Sequence, residues 1–512
     1  MLVKTSRLAA LLIVMLALTT LGFAASERKI SFSNDGNKVQ LMNNTETGFE
    51  LQFTLQDFSV EEVSTRGGVY DRLAIDGFGY SGRIGEPQLP VFSKLIAVPL
   101  GAQVQIEFLN RNQLTLNKTD AQLKNQLIPA QFSVSKSDNP ALIPFEKKAA
   151  LYSENAFTGG ELFSVEEVGI MRAVRVFRFD FEPISYNPVT GELRITNNAY
   201  VKVSFVNPDL QATQALMDKT GSYEYDQLYQ KTFYNWTEPT RLNVNRYPTK
   251  MLILCPPNYT DELQPFVDWK IQQGIRVTVT TVGTGGTVAN TTTAIASYMA
   301  NVWSAATAQD PAPTYLLIVG DTSTTGDNII ANTGAAGSHP TDLTYVRLNG
   351  TDYLPEMYYG RFSVASATEL TNIVNKSITF EKTQMPDLSY LGKVVMIAGA
   401  DASYAPTYGN GQINYGTTHY FNATNGLTSN TYLYPASETS DAAIIANANE
   451  GRGYMNYTAH GSTTSWADPT FTVSDVNAMT NTGKYGVMVG NCCVTNQFTK
   501  IGRASCRERV YH

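Results

Sequence analysis

Three polar residues that together could hydrolyse an amide bond follow three apolar runs in the second half of the chain: Asp401, His460 and Cys493. Each run is typical of a buried strand. If those strands are neighbours in a parallel sheet, the three side chains converge at the edge where the strands end. A thiolate can attack a carbonyl carbon, an imidazole can transfer the protons, and a carboxylate can orient the imidazole. The pattern therefore predicts a Cys–His hydrolase site.

Each of these residues also has a purely structural interpretation. A histidine at a strand end often makes only structural hydrogen bonds, Asp401 could cap a turn, and a buried cysteine usually behaves as a small hydrophobe. Cys492 and Cys493 are adjacent. Because consecutive strand residues point to opposite faces, only one of the two can face His460. Gly461 and the backbone at Cys493 could offer N–H donors to an oxyanion.

The elements that must position these residues alternate between strands and helices. A buried apolar run or a helical period marks each of them. We predict strands over residues 250–255, 276–282, 314–321, 393–400, 453–459 and 485–491, and helices over 261–273, 291–307, 369–382 and 440–450. Such alternation indicates an α/β fold with a largely parallel sheet covered on both faces.

The first half of the chain has a different pattern. Residues 163–169, 174–181 and 200–205 alternate apolar with polar side chains, as half-buried strands do, and residues 187–192 form a turn signal. We therefore predict an all-β unit, a sandwich or a barrel, over residues 26–235.

The first 25 residues predict an export signal. Lys4 and Arg7 precede an apolar run over residues 8–21, and small residues follow at Gly22 and Ala24. A membrane anchor is the alternative, but a span needs about 20 apolar residues. We expect cleavage, no transmembrane anchor, and a secreted or cell-surface protein.

Composition excludes several classes of protein. Charged residues make up 16% of the 512 residues, against about 25% in typical domains. The net charge is −7 without a Lys/Arg block, so no nucleic acid is expected as a partner. Four cysteines are too few for a disulfide framework in so long a chain, which excludes a disulfide-stabilised scaffold. The four histidines never stand at the i,i+4 spacing of a zinc peptidase.

Six segments together resemble the gingipain family of cysteine endopeptidases, its lysine-specific members in particular. They are residues 317–321, 352–358, 397–401, 459–462, 466–469 and 490–495. The resemblance extends over residues 245–500. It implies a caspase-like α/β catalytic domain over residues 249–500, preceded by an all-β prodomain.

The resemblance also implies a role for individual residues. Cys493 is the nucleophile, His460 the general acid and base, and Asp401 the supporting acid. Gly461 and Cys493 supply oxyanion N–H groups, with Cys492 as a structural neighbour. Thr458 and Asn491 match positions that line the S1 pocket. Thr463 departs from the family, whose lysine-specific members have Glu there.

Specificity for lysine is favoured because the S1 acid of the arginine-specific relatives is missing. Arginine-specific relatives place an S1 acid soon after the third catalytic residue, and residues 402–414 contain no acid. Lysine-specific relatives have theirs downstream of the nucleophile, past residue 500. Residues 501–512 do not fit an α/β domain, and we expect a C-terminally truncated fragment with a non-native tail. A caspase-like enzyme of another preference stays open.

The resemblance further implies a structural Ca²⁺ site. Its ligands would be Asp321, Asp352, the carbonyl of Leu354 and Glu356, hard oxygen donors of the kind that Ca²⁺ prefers. A family aspartate is replaced by Gly350. The alternative is that these carboxylates only cap turns.

By the same resemblance, residues 26–235 are a prodomain that inhibits the enzyme until the linker over residues 236–248 is cut. Arg241, Arg246 and Lys250 are candidate cleavage sites. A permanent accessory or carbohydrate-binding domain is the alternative. We expect a secreted zymogen that acts on protein and peptide substrates. The competing hypothesis is a catalytically inactive adhesion or surface-interaction protein on a peptidase fold.

Overall fold

A computed structural model of the chain describes residues 28–32, 36–133, 142–159, 162–236, 248–322, 326–333 and 340–493. The predicted export signal and the tail over residues 501–512 lie outside these ranges. Within these ranges, no helix is long and apolar enough to cross a membrane.

The N-terminal unit consists mainly of antiparallel strands. They are β1 (Arg28–Ser31), β2 (Lys38–Thr45), β3 (Gly48–Thr54), β4 (Asp57–Thr65), β5 (Gly68–Ala74), β6 (Gly79–Tyr80), β7 (Pro90–Val98), β8 (Gln103–Leu116), β9 (Phe163–Met171), β10 (Val174–Phe181), β11 (Ile184–Tyr186) and β12 (Leu193–Val206). Three sheets result, in the orders β1-β4-β5, β6-β7-β10-β9 and β11-β12-β3-β2, with β8 paired along the other edge of β12.

Alternating apolar residues explain these strands. Along β10, Val174, Val176, Phe179 and Phe181 are buried, while Arg178 between them is exposed. The inward side chains of β3, β10 and β12 form one aromatic-rich core, and a second core lies under β4 and β5. The strand-rich N-terminal unit was predicted from this period and is confirmed.

Three helices in this unit were not predicted. They are α1 (Ala149–Ser153), α2 (Leu210–Thr220) and α3 (Tyr223–Thr232). The side chains of Asp209 and Ser222 cap α2 and α3 by accepting the backbone N–H of Ala212 and Tyr225, which satisfies donors that a helix start leaves free.

The C-terminal unit begins with a four-stranded parallel sheet. Its strands are β13 (Lys250–Cys255), β14 (Arg276–Thr281), β15 (Tyr315–Val319) and β18 (Tyr358–Phe362), in the order β14-β13-β15-β18. A small hairpin, β16 (Asn332–Thr333) and β17 (Pro340–Thr341), lies between the last two. The helices are α4 (Thr260–Gln272), α5 (Thr292–Ser304) and α6 (Ala367–Glu381).

A second four-stranded parallel sheet follows. It has the order β20-β19-β21-β24 and consists of β19 (Lys393–Ala398), β20 (Thr428–Tyr432), β21 (Tyr454–Thr458) and β24 (Val487–Asn491). The remaining elements are α7 (Asn410–His419), α8 (Asp441–Glu450), α9 (Val473–Asn477) and a hairpin of β22 (Ser465–Trp466) and β23 (Phe471–Thr472).

Both faces of each parallel sheet are buried, which accounts for the apolar runs in the sequence. On β13, Ile253 packs towards α4 and α6, whereas Leu252 and Leu254 pack towards α5. On β19, Ile397 packs towards α8 and Met396 towards α7. Parallel sheets flanked by helices confirm the predicted α/β class of this unit.

Candidate active site

Asp401, His460 and Cys493 follow the carboxyl ends of three adjacent strands. Thr458 of β21 pairs with Ala398 of β19 on one side and with Asn491 of β24 on the other. His460 and Cys493 each lie two residues beyond this row, and Asp401 lies three residues beyond it. Neighbouring strands are about 4.8 Å apart. The strand order therefore places all three residues at one edge, with His460 in the middle.

His460 contacts Asp401 directly. Its Nε2 lies 2.7 Å from Oδ2 of Asp401, and both side chains are partly buried. The other oxygen of Asp401, Oδ1, accepts the backbone N–H groups of Ser403 and Tyr404, each at 2.9 Å. Asp401 thus caps a turn and also orients the imidazole. With Nε2 engaged, Nδ1 is the nitrogen left to exchange protons with another group.

Hydrogen bonds from Tyr457 and Ala467 fix the main chain at His460. The hydroxyl of Tyr457 donates to the carbonyl of His460 at 2.7 Å, and the N–H of Ala467 donates to the same carbonyl at 3.0 Å. The ring of Trp466 stacks on Tyr457 with centroids 4.4 Å apart. Gly461 bridges to Trp466 in the same hairpin. The position of the imidazole therefore depends on buried residues as well as on Asp401.

The two adjacent cysteines have different surroundings. Cys492 is half-buried against the core that contains Ile397, Tyr457 and Trp466. Cys493 is exposed. Among the described residues, neither of the two forms a disulfide. Of the two, Cys493 is the sulfur that a substrate can reach.

Thr458 and Asn491 are neighbours at the carboxyl ends of β21 and β24, at the same edge of the sheet. The Nδ2 group of Asn491 donates to Oγ1 of Thr458 at 2.9 Å. They are paired in the β21–β24 register. Thr458 is buried and Asn491 is exposed, so of this pair Asn491 is the side chain that solvent reaches at the edge.

Gly399 lets the backbone that leads to Asp401 pack tightly. A Cβ atom there would lie 2.5 Å from the carbonyl oxygen of Asp468 and 2.6 Å from the Cβ of Ala459. We expect Gly399→Ala to lower the free energy of unfolding by about 1–3 kcal/mol, as overpacking does. Gly411 in α7 is the matched control, because a Cβ atom there meets nothing within 4 Å. Urea denaturation should show no loss of unfolding free energy for Gly411→Ala. Equal losses of unfolding free energy in the two variants would contradict the packing argument.

The four predicted calcium ligands do not form one set, and this part of the prediction is wrong. Tyr315 pairs with Tyr358 and Val319 with Phe362. Glu356 therefore lies before the amino ends of these strands, whereas Asp321 lies beyond their carboxyl ends, where its N–H bonds to the carbonyl of Val364. The separation is on the order of 20 Å at the rise of a strand. Asp321 instead accepts hydrogen bonds from Thr322 and Ser363.

Asp352, Leu354 and Glu356 remain together. Burial, with a smaller contribution from the nearby Asp352, raises the pKa of Glu356 to about 7. Oε1 of Glu356 is buried without a hydrogen-bond partner, while Oε2 accepts the N–H of Leu348. An unpaired buried carboxylate oxygen beside a second carboxylate fits a cation. Among the described residues, however, no group of three His, Cys, Asp or Glu side chains could hold a metal.

The candidate cleavage sites differ in accessibility. Lys250 is the first residue of β13, and its Nζ lies 3.0 Å from Asp310. A paired strand is a poor protease substrate because the backbone must open first. Arg241 and Arg246 lie outside the described residues.

Sequence reasoning missed the residues that support His460. Tyr457 is the last but one residue of β21 and looks like an ordinary core residue in the sequence. A tyrosine at the end of a strand that leads to a candidate histidine is a usable signal, since a buried tyrosine hydroxyl usually has a hydrogen-bond partner.

Two family models match the chain. The model of peptidase family C25 matches residues 245–512, and the model of the C25 propeptide matches residues 29–236. Lys-gingipain HG66 of Porphyromonas gingivalis is 36% identical over 490 residues, which cover 95% of this chain and 28% of that protein. Gingipain R2 of the same organism, strain W83, is 27% identical over 90% of this chain and 60% of its own length.

A solved structure also matches part of the chain. It was described for the zymogenic latency of gingipain K from Porphyromonas gingivalis, is 32% identical, and covers 35% of this chain and 98% of its own, with a TM-score of 0.34. The chain spans less than a third of the length of the Lys-gingipains that it matches.

Proposed function

The chain belongs to peptidase family C25, and from this premise we propose that it is the zymogen of a secreted cysteine endopeptidase. The predicted resemblance to the gingipain family is thereby confirmed. Residues 29–236 match the propeptide model, and we assign them the role of an inhibitor that is removed on activation.

One observation supports the proposal most: the 2.7 Å contact of His460 with Asp401 at the edge where exposed Cys493 also lies. The Cys493 thiolate attacks the scissile carbonyl and forms a thioester. His460 accepts the thiol proton at Nδ1 and delivers it to the leaving amine, while Asp401 keeps the ring in one orientation. The backbone N–H groups of Gly461 and Cys493 bind the oxyanion. Water then hydrolyses the thioester with His460 as the base.

We assign cleavage after lysine as the preferred specificity. The chain is 36% identical to Lys-gingipain HG66 and 27% identical to gingipain R2. The Thr458–Asn491 pair is neutral, so a charged P1 side chain needs an acid from elsewhere in the protein. The runner-up is a peptidase with another P1 preference.

The experiment is a digest of a peptide library with a randomised P1 position, read by mass spectrometry. Cleavage after one P1 class that disappears on thiol alkylation supports a cysteine endopeptidase, and enrichment of lysine supports the specificity. Enrichment of another residue leaves the peptidase and rejects lysine. An absence of cleavage by the chain, after removal of residues 29–236, favours the catalytically inactive adhesion protein.

A calcium site is also part of the proposal, with a ligand set that no longer includes Asp321. Its ligands are Asp352, the Leu354 carbonyl and Glu356. The bound ion supplies positive charge that pairs with two carboxylates and stabilises the loop before β18. We expect millimolar Ca²⁺ to raise the melting temperature of the chain by about 3 °C or more over EDTA.

The variants for this test are Glu356→Gln and Asp321→Asn. The first should abolish the calcium-dependent increment in melting temperature. The second should keep it, because Asp321 lies at the other end of the strands. The reduced ligand set is contradicted if Asp321→Asn removes the increment and Glu356→Gln does not.

A further inference from the structure

Arg172 occupies an unusual position in the N-terminal unit. It lies in the two-residue turn between β9 and β10, its side chain is 0% exposed, and its backbone φ is +54°. Such turns favour glycine or asparagine, which adopt positive φ at low cost. An arginine that is buried and has a positive φ at a hairpin tip is therefore explained by its side-chain contacts and not by the turn.

The guanidinium of Arg172 donates to four backbone carbonyls. Nε donates to Thr220, Nη1 donates to Pro313 and to Glu356, and Nη2 donates to Ala312. Three of these carbonyls belong to the C-terminal unit. The group also lies over the rings of Tyr225 and Trp303, with its Cζ 4.8 and 5.6 Å from their centroids. Only the planar, five-donor arginine side chain can make this set of contacts.

Other contacts between the two units surround Arg172. The N–H of Ile170 donates to Oδ2 of Asp352 at 2.9 Å, and the N–H of Ala312 donates to the carbonyl of Lys219 at 3.0 Å. The rings of Tyr225 and Tyr358 are tilted against each other with centroids 4.9 Å apart, and the Tyr225 hydroxyl donates to the carbonyl of Pro355. We call the tip of the β9–β10 hairpin with α2 and α3 the anchor.

The anchor contacts a part of the C-terminal unit that is distinct from the candidate active site. Ala312 and Pro313 precede β15, and Glu356 precedes β18, so the contacts lie at the amino ends of strands in the first parallel sheet. Asp401, His460 and Cys493 follow the carboxyl ends of strands in the second sheet. The N-terminal unit is therefore attached here through a surface that is separate from the candidate active site.

We propose that Arg172 anchors the N-terminal unit to the peptidase unit at a docking site separate from the catalytic residues, so that the two units stay together after the connecting segment is cut. The inference rests on the proposed zymogen. Removing Arg172 would leave four carbonyls without this donor in a buried space, and separation of the intact pair would take the donor from the three carbonyls of the C-terminal unit. The partners of the Arg172 guanidinium are carbonyls and rings. Salt should therefore not weaken the anchor as it weakens surface ion pairs.

The experiment uses the full chain with a recognition sequence for a site-specific protease placed between residues 237 and 247. After cutting, the wild-type units should elute together from a gel-filtration column, also in 1 M NaCl. Arg172→Met should raise the dissociation constant of the two units by about 100-fold or more. Arg178→Met is the matched control, since Arg178 lies on β10 in the same hairpin, is exposed and pairs with Glu166 and Asp180.

Two further measurements keep the test decisive. If Arg172→Met does not fold, hydrogen–deuterium exchange of uncut Arg172→Lys should show faster exchange at the amides of Ile170 and Ala312 than wild type, with the N-terminal core unchanged. Equal dissociation constants for Arg172→Met and Arg178→Met, or unchanged exchange in Arg172→Lys, overturn the anchor. Co-elution without peptidase activity would reject the proposed function and leave the anchor in place.

Discussion

Cys493→Ala should abolish peptide hydrolysis by the activated chain, with kcat/KM falling by a factor of about 10⁴ or more, because it removes the sulfur that forms the thioester. Cys492→Ala should keep kcat within about threefold, since Cys492 packs against the core and is less exposed at this edge than Cys493. The structure explains the difference: Cys493 is exposed at the edge with His460, and Cys492 packs against the core that contains Tyr457 and Trp466.

The measurement is hydrolysis of a lysine-containing fluorogenic peptide by the two variants, with urea denaturation of each. Cys492→Ala is expected to lose about 1 kcal/mol of unfolding free energy as a truncated core residue. Activity that survives in Cys493→Ala and is lost in folded Cys492→Ala would reverse the assignment of the nucleophile.

His460→Ala should have the second largest effect, a loss of kcat by about 10³-fold or more, since the thiol then lacks its proton acceptor and the leaving amine its donor. Asp401→Asn should lose less, about 10- to 10³-fold, because the hydroxyl of Tyr457 still holds the main chain at His460 and the imidazole loses only its carboxylate partner. Steady-state kinetics of both variants separate kcat from KM.

His419→Ala is the control for this series. His419 is exposed at the end of α7, and its ring lies against the rings of Tyr415 and Tyr420. Its kinetic constants should match those of the wild type. A His460→Ala enzyme that folds and keeps more than a tenth of wild-type kcat would show that another group moves the protons.

The strands and helices of the C-terminal unit were largely predictable because both faces of its sheets are buried. Apolar runs such as residues 250–255 and 393–398 appear directly in the sequence. β18 and β20 were missed, since Tyr358, Tyr359 and most of β20 are exposed or half-buried at sheet edges and show no continuous apolar run. The separation into two sheets depends on pairing between distant strands, which local periodicity does not report.

The edge that carries Asp401, His460 and Cys493 was predictable because each residue follows a recognisable strand. The calcium set was not, since a list of carboxylates does not show which end of a strand each one occupies. Asp321 and Glu356 flank paired strands from opposite ends. Nothing in the sequence singles out Arg172, because its acceptors, Ala312 and Pro313, are about 140 residues away and are brought to it only by docking of the units.

The central claim is that His460 activates Cys493. A thiol-directed peptide probe with lysine at P1, followed by tryptic mapping of the adduct by mass spectrometry, tests it most directly. The expected result is a single adduct on Cys493 of the activated wild-type chain that becomes undetectable in His460→Ala. Labelling of Cys492 instead, or equal labelling of Cys493 with and without the imidazole, would contradict the claim.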